Sequence, residues 1–200
     1  MSSETYPIRS IAVYCASSPG HNPIYRRAAR ALGALMAERS IALVYGGGSV
    51  GLMGEIADAV MENGGKVTGV IPDFLYQREV GHDGLTELLI VDSMHTRKRM
   101  MFERCDAIIT LPGGFGTLEE LFEMLTWAQL NLHQKPIGLL NVEGFYDHLI
   151  ALVKHMHAEG LLSTSSLQLL QHASHPEILL QKLSEHLIHK GGNTLTPQQM

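Results

Sequence analysis

Apolar residues along this chain fall into two alternating patterns, short unbroken runs and longer stretches at helical spacing. Ile11-Ala12-Val13-Tyr14 is the first short run and gives way to a turn, Ser17-Ser18-Pro19-Gly20. The spacing of Ala28, Leu32, Leu35 and Met36 then predicts a helix over 23–39. A strand over 41–45, a glycine turn, a helix over 51–63 and a strand over 66–71 follow, the last stopped by Pro72. Next come a strand over 88–91, a helix over 94–104, a strand over 107–111 and a helix over 118–130 with Leu118, Leu121, Phe122 and Leu125 as its buried stripe. The remainder reads as a strand over 136–140, a helix over 146–157, a weaker strand over 167–170, a helix over 176–189 and a frayed tail over 190–200. Residues 73–84 lack a clear period and form the candidate substrate loop.

Strands that are apolar throughout are buried on both faces, which calls for a parallel sheet with helices packed on each side. The expected fold is therefore α/β, a Rossmann-like doubly wound parallel sheet in a single domain over 1–189. Ligands in such sheets bind beyond the carboxyl ends of the strands, near the point where strand order reverses. Segments 15–20, 46–51, 73–84 and 112–117 are all expected there.

The most informative of these is PGGFGTLEE, residues 112–120, which joins a strand to a helix through three glycines. Such a turn leaves backbone N–H groups free at the positive end of a helix dipole, and glycine lets an anion approach them closely. Glu119 and Glu120 sit one turn further on, which hints at chemistry beside a bound phosphate. A structural role competes for Glu120, because Thr117-Leu118-Glu119-Glu120 also fits a T-x-x-E capping box. Trp127 reads as core. Gly46-Gly47-Gly48-Ser49-Val50-Gly51 matches G-x-G-x-x-G, with Asp73 at the distance of a ribose-binding acid. The match follows the second strand, whereas a dinucleotide fingerprint opens the first βαβ unit. It reads as close backbone approach to a nucleotide or to a neighbouring helix, with an NAD(P)-dependent oxidoreductase as the minor alternative. Arg97-Lys98-Arg99 puts three cations at a helix start, where the dipole disfavours them, so either an anion or solvent compensates.

Composition narrows the classes. A net charge of −5 offers no general attraction for nucleic acid, and no apolar run reaches the ~20 residues of a membrane span. Only Cys15 and Cys105 occur, both at expected strand ends, so they read as buried thiols. The eleven histidines, including His155 with His157 and His186 with His189, show no metal-ligand spacing. With no signal-like order in the first ten residues, a cytoplasmic protein is expected.

With these residues in hand, the chain resembles the LONELY GUY (LOG) family, the cytokinin riboside 5′-monophosphate phosphoribohydrolases. The family's PGGxGTxxE motif is complete in 112–120, and its methionine–arginine–lysine segment is matched by Met94-His95-Thr96-Arg97-Lys98. The glycine loop at 45–54, the run Thr126-Trp127-Ala128-Gln129-Leu130 and the run Lys135-Pro136-Ile137-Gly138-Leu139-Leu140-Asn141 also match. The similarity covers about 11–162 and loosens over 164–200; Arg99-Met100-Met101 departs from many relatives in a way that bears on base preference. Family members have often been labelled lysine decarboxylases, but no pyridoxal-phosphate lysine motif stands out here and the chain is short for such an enzyme.

The resemblance implies hydrolysis of the N-glycosidic bond of a purine nucleoside 5′-monophosphate without a cofactor. It carries over Arg97 and Glu120 as the catalytic pair, and Glu79, Lys98, Gly113, Gly114, Gly116, Thr117 and Thr126 as nucleotide contacts. Phe115 and Glu119, inside the motif, and Gly46, Gly47 and Gly48 complete the expected binding set. It also implies at least a homodimer, with which ten methionines and several apolar helix faces are compatible. A non-catalytic nucleotide-binding module using the same pocket is the alternative from another class.

Overall fold

Seven short apolar strands form one parallel sheet in the computed structural model, which describes residues 8–76 and 81–190. They are β1 (Ser10–Tyr14), β2 (Ala42–Tyr45), β3 (Val67–Pro72), β4 (Glu87–Val91), β5 (Ala107–Thr110), β6 (Ile137–Leu140) and β7 (Leu170–Ala173). Their order is β4-β3-β2-β1-β5-β6-β7, with every neighbouring pair parallel. The chain builds outward from β1 to β4, then crosses back past β1 to build β5, β6 and β7 on its other side. The switch point therefore lies between β1 and β5.

Alternate residues of each central strand feed two separate cores. Ile11, Val13, Ala107 and Ile109 point to one face, where they pack on α1 (Pro23–Glu38), α2 (Gly51–Glu62) and α8 (Pro176–Lys190). Ala12, Tyr14, Ile108 and Leu139 point to the other, against α4 (Met94–Glu103), α5 (Phe115–Gln129) and α6 (Asp147–Ala158). Two short helices, α3 (Asp73–Tyr76) and α7 (Thr164–Leu167), lie in connections. Local signals set several helix starts: Pro23 opens α1 behind Asn22, whose side chain accepts from the Ile24 amide, and Ser93 does the same for the Thr96 amide of α4.

Most expected elements form within a residue or two of their expected ends, and three readings change. The strand expected at 167–170 lies instead at Leu170–Ala173, because Ser163 caps a single helical turn that takes up Leu167. Helix α5 begins at Phe115, three residues before the expected 118. Cys15 lies just past β1 and Cys105 in the turn before β5; both thiols are buried, with no disulfide. The loop at 73–84 opens with α3, and Gly81 then forms a bridge with Gly48. Glu79 and the tail over 191–200 lie outside the described residues. Among the described residues, no helix is long and apolar enough to cross a membrane.

Candidate active site

Three loops meet at the switch point because their backbones hydrogen-bond to one another. The Leu111 amide donates to the Tyr14 carbonyl at 2.9 Å, the Ala16 amide to Pro112 at 3.2 Å, and the Leu52 amide to Ala16 at 3.0 Å. Gly51 makes the last approach feasible: its φ is +63°, and a Cβ there would stand 2.3 Å from the Ser17 carbonyl carbon. Between these loops, α4 and the start of α5 lies a cavity of about 350 Å³. Its walls include Arg97, Glu119, Glu120, Gly46, Gly114, Phe115, Gly116 and Thr117 from the expected set.

The start of α5 leaves backbone donors open toward the cavity. Gly114 is the N-cap residue and makes no side-chain cap bond, so first-turn amides remain free. A Cβ on Gly114 or Gly116 would meet nothing within 4 Å, which leaves open space in front of their backbone. Gly113 is glycine for an internal reason, since a Cβ there would lie 2.1 Å from Thr117 Oγ1.

The capping-box reading of Glu120 fails on this geometry. With Gly114 as cap, Thr117 is the third helical residue and Glu120 the sixth, too far along for a reciprocal cap. The buried stripe is also rotated from the expected one. It runs through Thr117, Glu120, Leu121, Met124 and Ala128, whereas Phe122 faces outward and Leu118 and Leu125 are only half-buried. Glu120 thus occupies a core-facing position, 9% exposed. Helix start and sheet contact, neither visible in the periodicity, decide that rotation.

Arg97 faces it from α4, 7% exposed. Its Nε donates to the Val70 carbonyl at 3.2 Å, one terminal nitrogen to the Gly46 carbonyl at 3.1 Å, and the other to Met94 Sδ at 3.8 Å. These bonds fix the guanidinium plane and still leave N–H donors for a ligand. Gly46 is required beside it, because a Cβ would sit 1.8 Å from the Arg97 nitrogen. Among the described residues no salt bridge joins Arg97 to Glu120. Burial pushes the Glu120 carboxyl up to about 7; Arg97 and Lys98 pull it down, and Glu119 and Glu123 push it further up. Tyr14, also in the wall, has its phenol raised by burial and by the charge of Glu120.

Other expected residues lie elsewhere. Lys98 is buried but turned to α5, where Nζ donates to Glu119 at 2.6 Å and Glu123 at 3.0 Å. Of the basic run, only Arg99 fits a solvated face. Thr126 is exposed and its hydroxyl donates to the Phe122 carbonyl at 2.7 Å. Gly47, Gly48 and Gly113 are outside the cavity wall; Gly47, at φ +77°, packs against Ile71. Gly47 and Gly51 of the G-x-G-x-x-G match thus serve contacts within the protein, while Gly46 also lines the cavity. Sequence reasoning singled out the segment 15–20 and, through the resemblance, Met94, but gave no site role to Ser17, Ser18, Met53 or Met101. Met101 stands four after Arg97, so helical spacing could have found it. No group of three or more His, Cys, Asp or Glu among the described residues is placed to hold a metal ion.

A family model described as "Possible lysine decarboxylase" matches residues 53–183. A rice (Oryza sativa subsp. japonica) protein named probable cytokinin riboside 5′-monophosphate phosphoribohydrolase LOGL9 is 48% identical, over 90% of this chain and 79% of its own. The Arabidopsis thaliana cytokinin riboside 5′-monophosphate phosphoribohydrolase LOG2 is 46% identical, over 90% of this chain and 84% of its own. The molybdenum cofactor carrier protein of Chlamydomonas reinhardtii shares the fold, with a TM-score of 0.67 at 19% identity over 90% of this chain and 98% of its own. With the signature loop at the switch point and relatives of this identity along nine-tenths of its length, the chain belongs to the LONELY GUY family of cytokinin riboside 5′-monophosphate phosphoribohydrolases.

Proposed function

We propose that this protein hydrolyses the N-glycosidic bond of a purine nucleoside 5′-monophosphate, a cytokinin riboside 5′-monophosphate or AMP, releasing free base and ribose 5-phosphate. The observation that carries this reading is the placement of Glu120, a core-facing carboxylate in the same cavity as a free helix start and a buried arginine. Cleaving the C1′–N9 bond builds positive charge on the ribose and negative charge on the departing purine. The ionised Glu120 stabilises the ribose charge and orients or deprotonates the water that attacks C1′. Arg97 cannot serve as a general acid, so it supplies fixed positive charge toward the substrate. The amides of 114–117 hold the 5′-phosphate and set the sugar over the carboxylate. Lys98 and Thr126, which the resemblance assigned to the nucleotide, have their polar atoms engaged within α5.

The working enzyme is proposed to be a homodimer. The outer side of α5 and the turn after it expose Phe122, Leu130 and Leu132, a surface suited to a second copy of the chain. A cytoplasmic location suits two buried cysteines without a disulfide. Incubation with AMP and with an N6-isoprenoid AMP, followed by chromatography of the products, tests the activity. Base release is expected, and AMP is expected to be cleaved far better than adenosine, because the dianion supplies remote binding energy. Binding without release would reduce the protein to a nucleotide-binding module, and equal specificity for AMP and adenosine would remove the phosphate role of 114–117.

A further inference from the structure

The α4–α5 contact contains a charge cluster around the buried Lys98 that the proposed reaction does not by itself explain. Lys98 follows Arg97 directly on α4, yet its ammonium is absent from the cavity wall and reaches across to α5. There it bridges Glu119 and Glu123, one helical turn apart, with its own side chain only 9% exposed. Glu120 lies between those two carboxylates in sequence and faces the cavity. Glu123 Oε2 is buried with no hydrogen-bond partner among the described residues, where Lys98 is the cation paired with this carboxylate.

We propose that Lys98 is a positioning residue for the catalytic site: it braces α4 against α5 so that Glu120 is held opposite Arg97, and it supplies the counter-charge for the acidic face of α5. Two cations on α4 then face three carboxylates within little more than one turn of α5. Burial works against the Lys98 ammonium, but its hydrogen bonds to Glu119 and Glu123 outweigh it and raise its pKa. Glu120 is faced by Arg97 and Lys98 from α4, by Tyr14 and Cys15 from the end of β1, and by Glu119 and Glu123 from its own helix. Without Lys98, the charges of Glu119 and Glu123 lose the ammonium they are paired with and Arg97 alone opposes them, so the Glu120 carboxyl keeps its proton to higher pH.

This inference rests on the phosphoribohydrolase reading, and its test separates the two. In Lys98→Met, the acidic limb of kcat/KM for AMP should move up by roughly one pH unit. The Glu120 carboxyl resonance, followed by 13C NMR titration, should move with it. Lys98→Arg should restore both, since it keeps the charge. Lys98→Met combined with Glu119→Gln and Glu123→Gln should bring the limb back toward wild type by removing the uncompensated carboxylates. An unmoved limb and unmoved titration in Lys98→Met, with only KM for AMP raised, would return Lys98 to direct nucleotide contact and overturn the proposal. The NMR titration needs no turnover, so a wild-type protein that releases no base would overturn the functional reading while leaving this one decidable.

Discussion

Glu120 combines two opposed properties, a proposed function that needs its charge and a site that resists it. Its carboxyl titrates near 7 because burial outweighs the Arg97 guanidinium. The folded pKa is above the unfolded value of 4.5, so the folded state holds this proton more tightly. Its contribution to stability is complete below 4.5 and is lost as pH rises to about 7, a span worth up to about 3 kcal/mol. Glu120→Gln should therefore abolish base release while raising the melting temperature above pH 7, with the gain vanishing toward pH 4.5. Thermal melts across that range check the sign, and a melting temperature lowered at pH 8 would mean the carboxylate is stabilised by contacts this account lacks. The same carboxylate should impose an acidic limb near pH 7 on kcat/KM in the wild type. At Gly46 the constraint is steric. A Gly46→Ala methyl would stand where the Arg97 nitrogen is, displacing the guanidinium, and turnover of AMP should fall by about two orders of magnitude or more in a folded protein. Circular dichroism and steady-state kinetics together check this; wild-type kcat/KM would show that Arg97 is not needed in this position.

At the scale of an element, α5 divides its glycines by purpose. Gly113 is locked by Thr117, whereas Gly116 faces open space inside the first turn of the helix. Gly116→Ala should leave the fold intact, or stabilise it by up to about 1 kcal/mol through helix propensity. It should still weaken AMP cleavage, because the new methyl occupies the approach to the amides proposed to hold phosphate, and adenosine cleavage should change less. Gly113→Ala should instead destabilise the protein, since the methyl meets a buried threonine. Urea melts of the two variants distinguish these outcomes, and equal destabilisation would remove the phosphate argument for Gly116. The helix also shows why its sequence misleads. T-x-x-E at 117–120 has the form of a cap, but Gly114 had already begun the helix, leaving Thr117 and Glu120 on its buried side.

At the scale of the whole molecule, the order β4-β3-β2-β1-β5-β6-β7 does the assembling. Placing β1 and β5 side by side brings the turn after each to one point, and α4 and α5 deliver Arg97 and Glu120 there from the same face of the sheet. On the outer side of α5 and in the turn after it, Phe122, Leu130 and Leu132 remain exposed. Sedimentation of the wild type should give a dimer, and Phe122→Glu with Leu132→Glu should shift it toward monomer. A wild type that sediments as a monomer at micromolar concentration would remove the second copy from the account. Arg97→Ala should lose turnover without dissociating the dimer, because its contacts are to Gly46, Val70 and Met94 within one chain.

The alternation of apolar runs with amphipathic stretches was enough to determine the class of fold and the position of nearly every element, because burial on both faces of a strand leaves a direct mark on composition. The motif at 112–120 likewise marked the strand-to-helix turn that opens onto the cavity, the place where an anion site is proposed. Only the tertiary structure decided which way the neighbouring side chains turn. Whether Lys98 points to the ligand or to Glu119 and Glu123, and whether Glu120 caps a helix or faces the cavity, depends on the rotation of α4 and α5 against each other. That rotation follows from packing against Tyr14, Val44, Val70 and Ile108 of the sheet, residues far away in the chain, so no local pattern encodes it. The glycines at 46–51 make the same point: the spacing resembled a dinucleotide loop, while contacts with Ser17, Ile71 and Arg97 are what those positions satisfy.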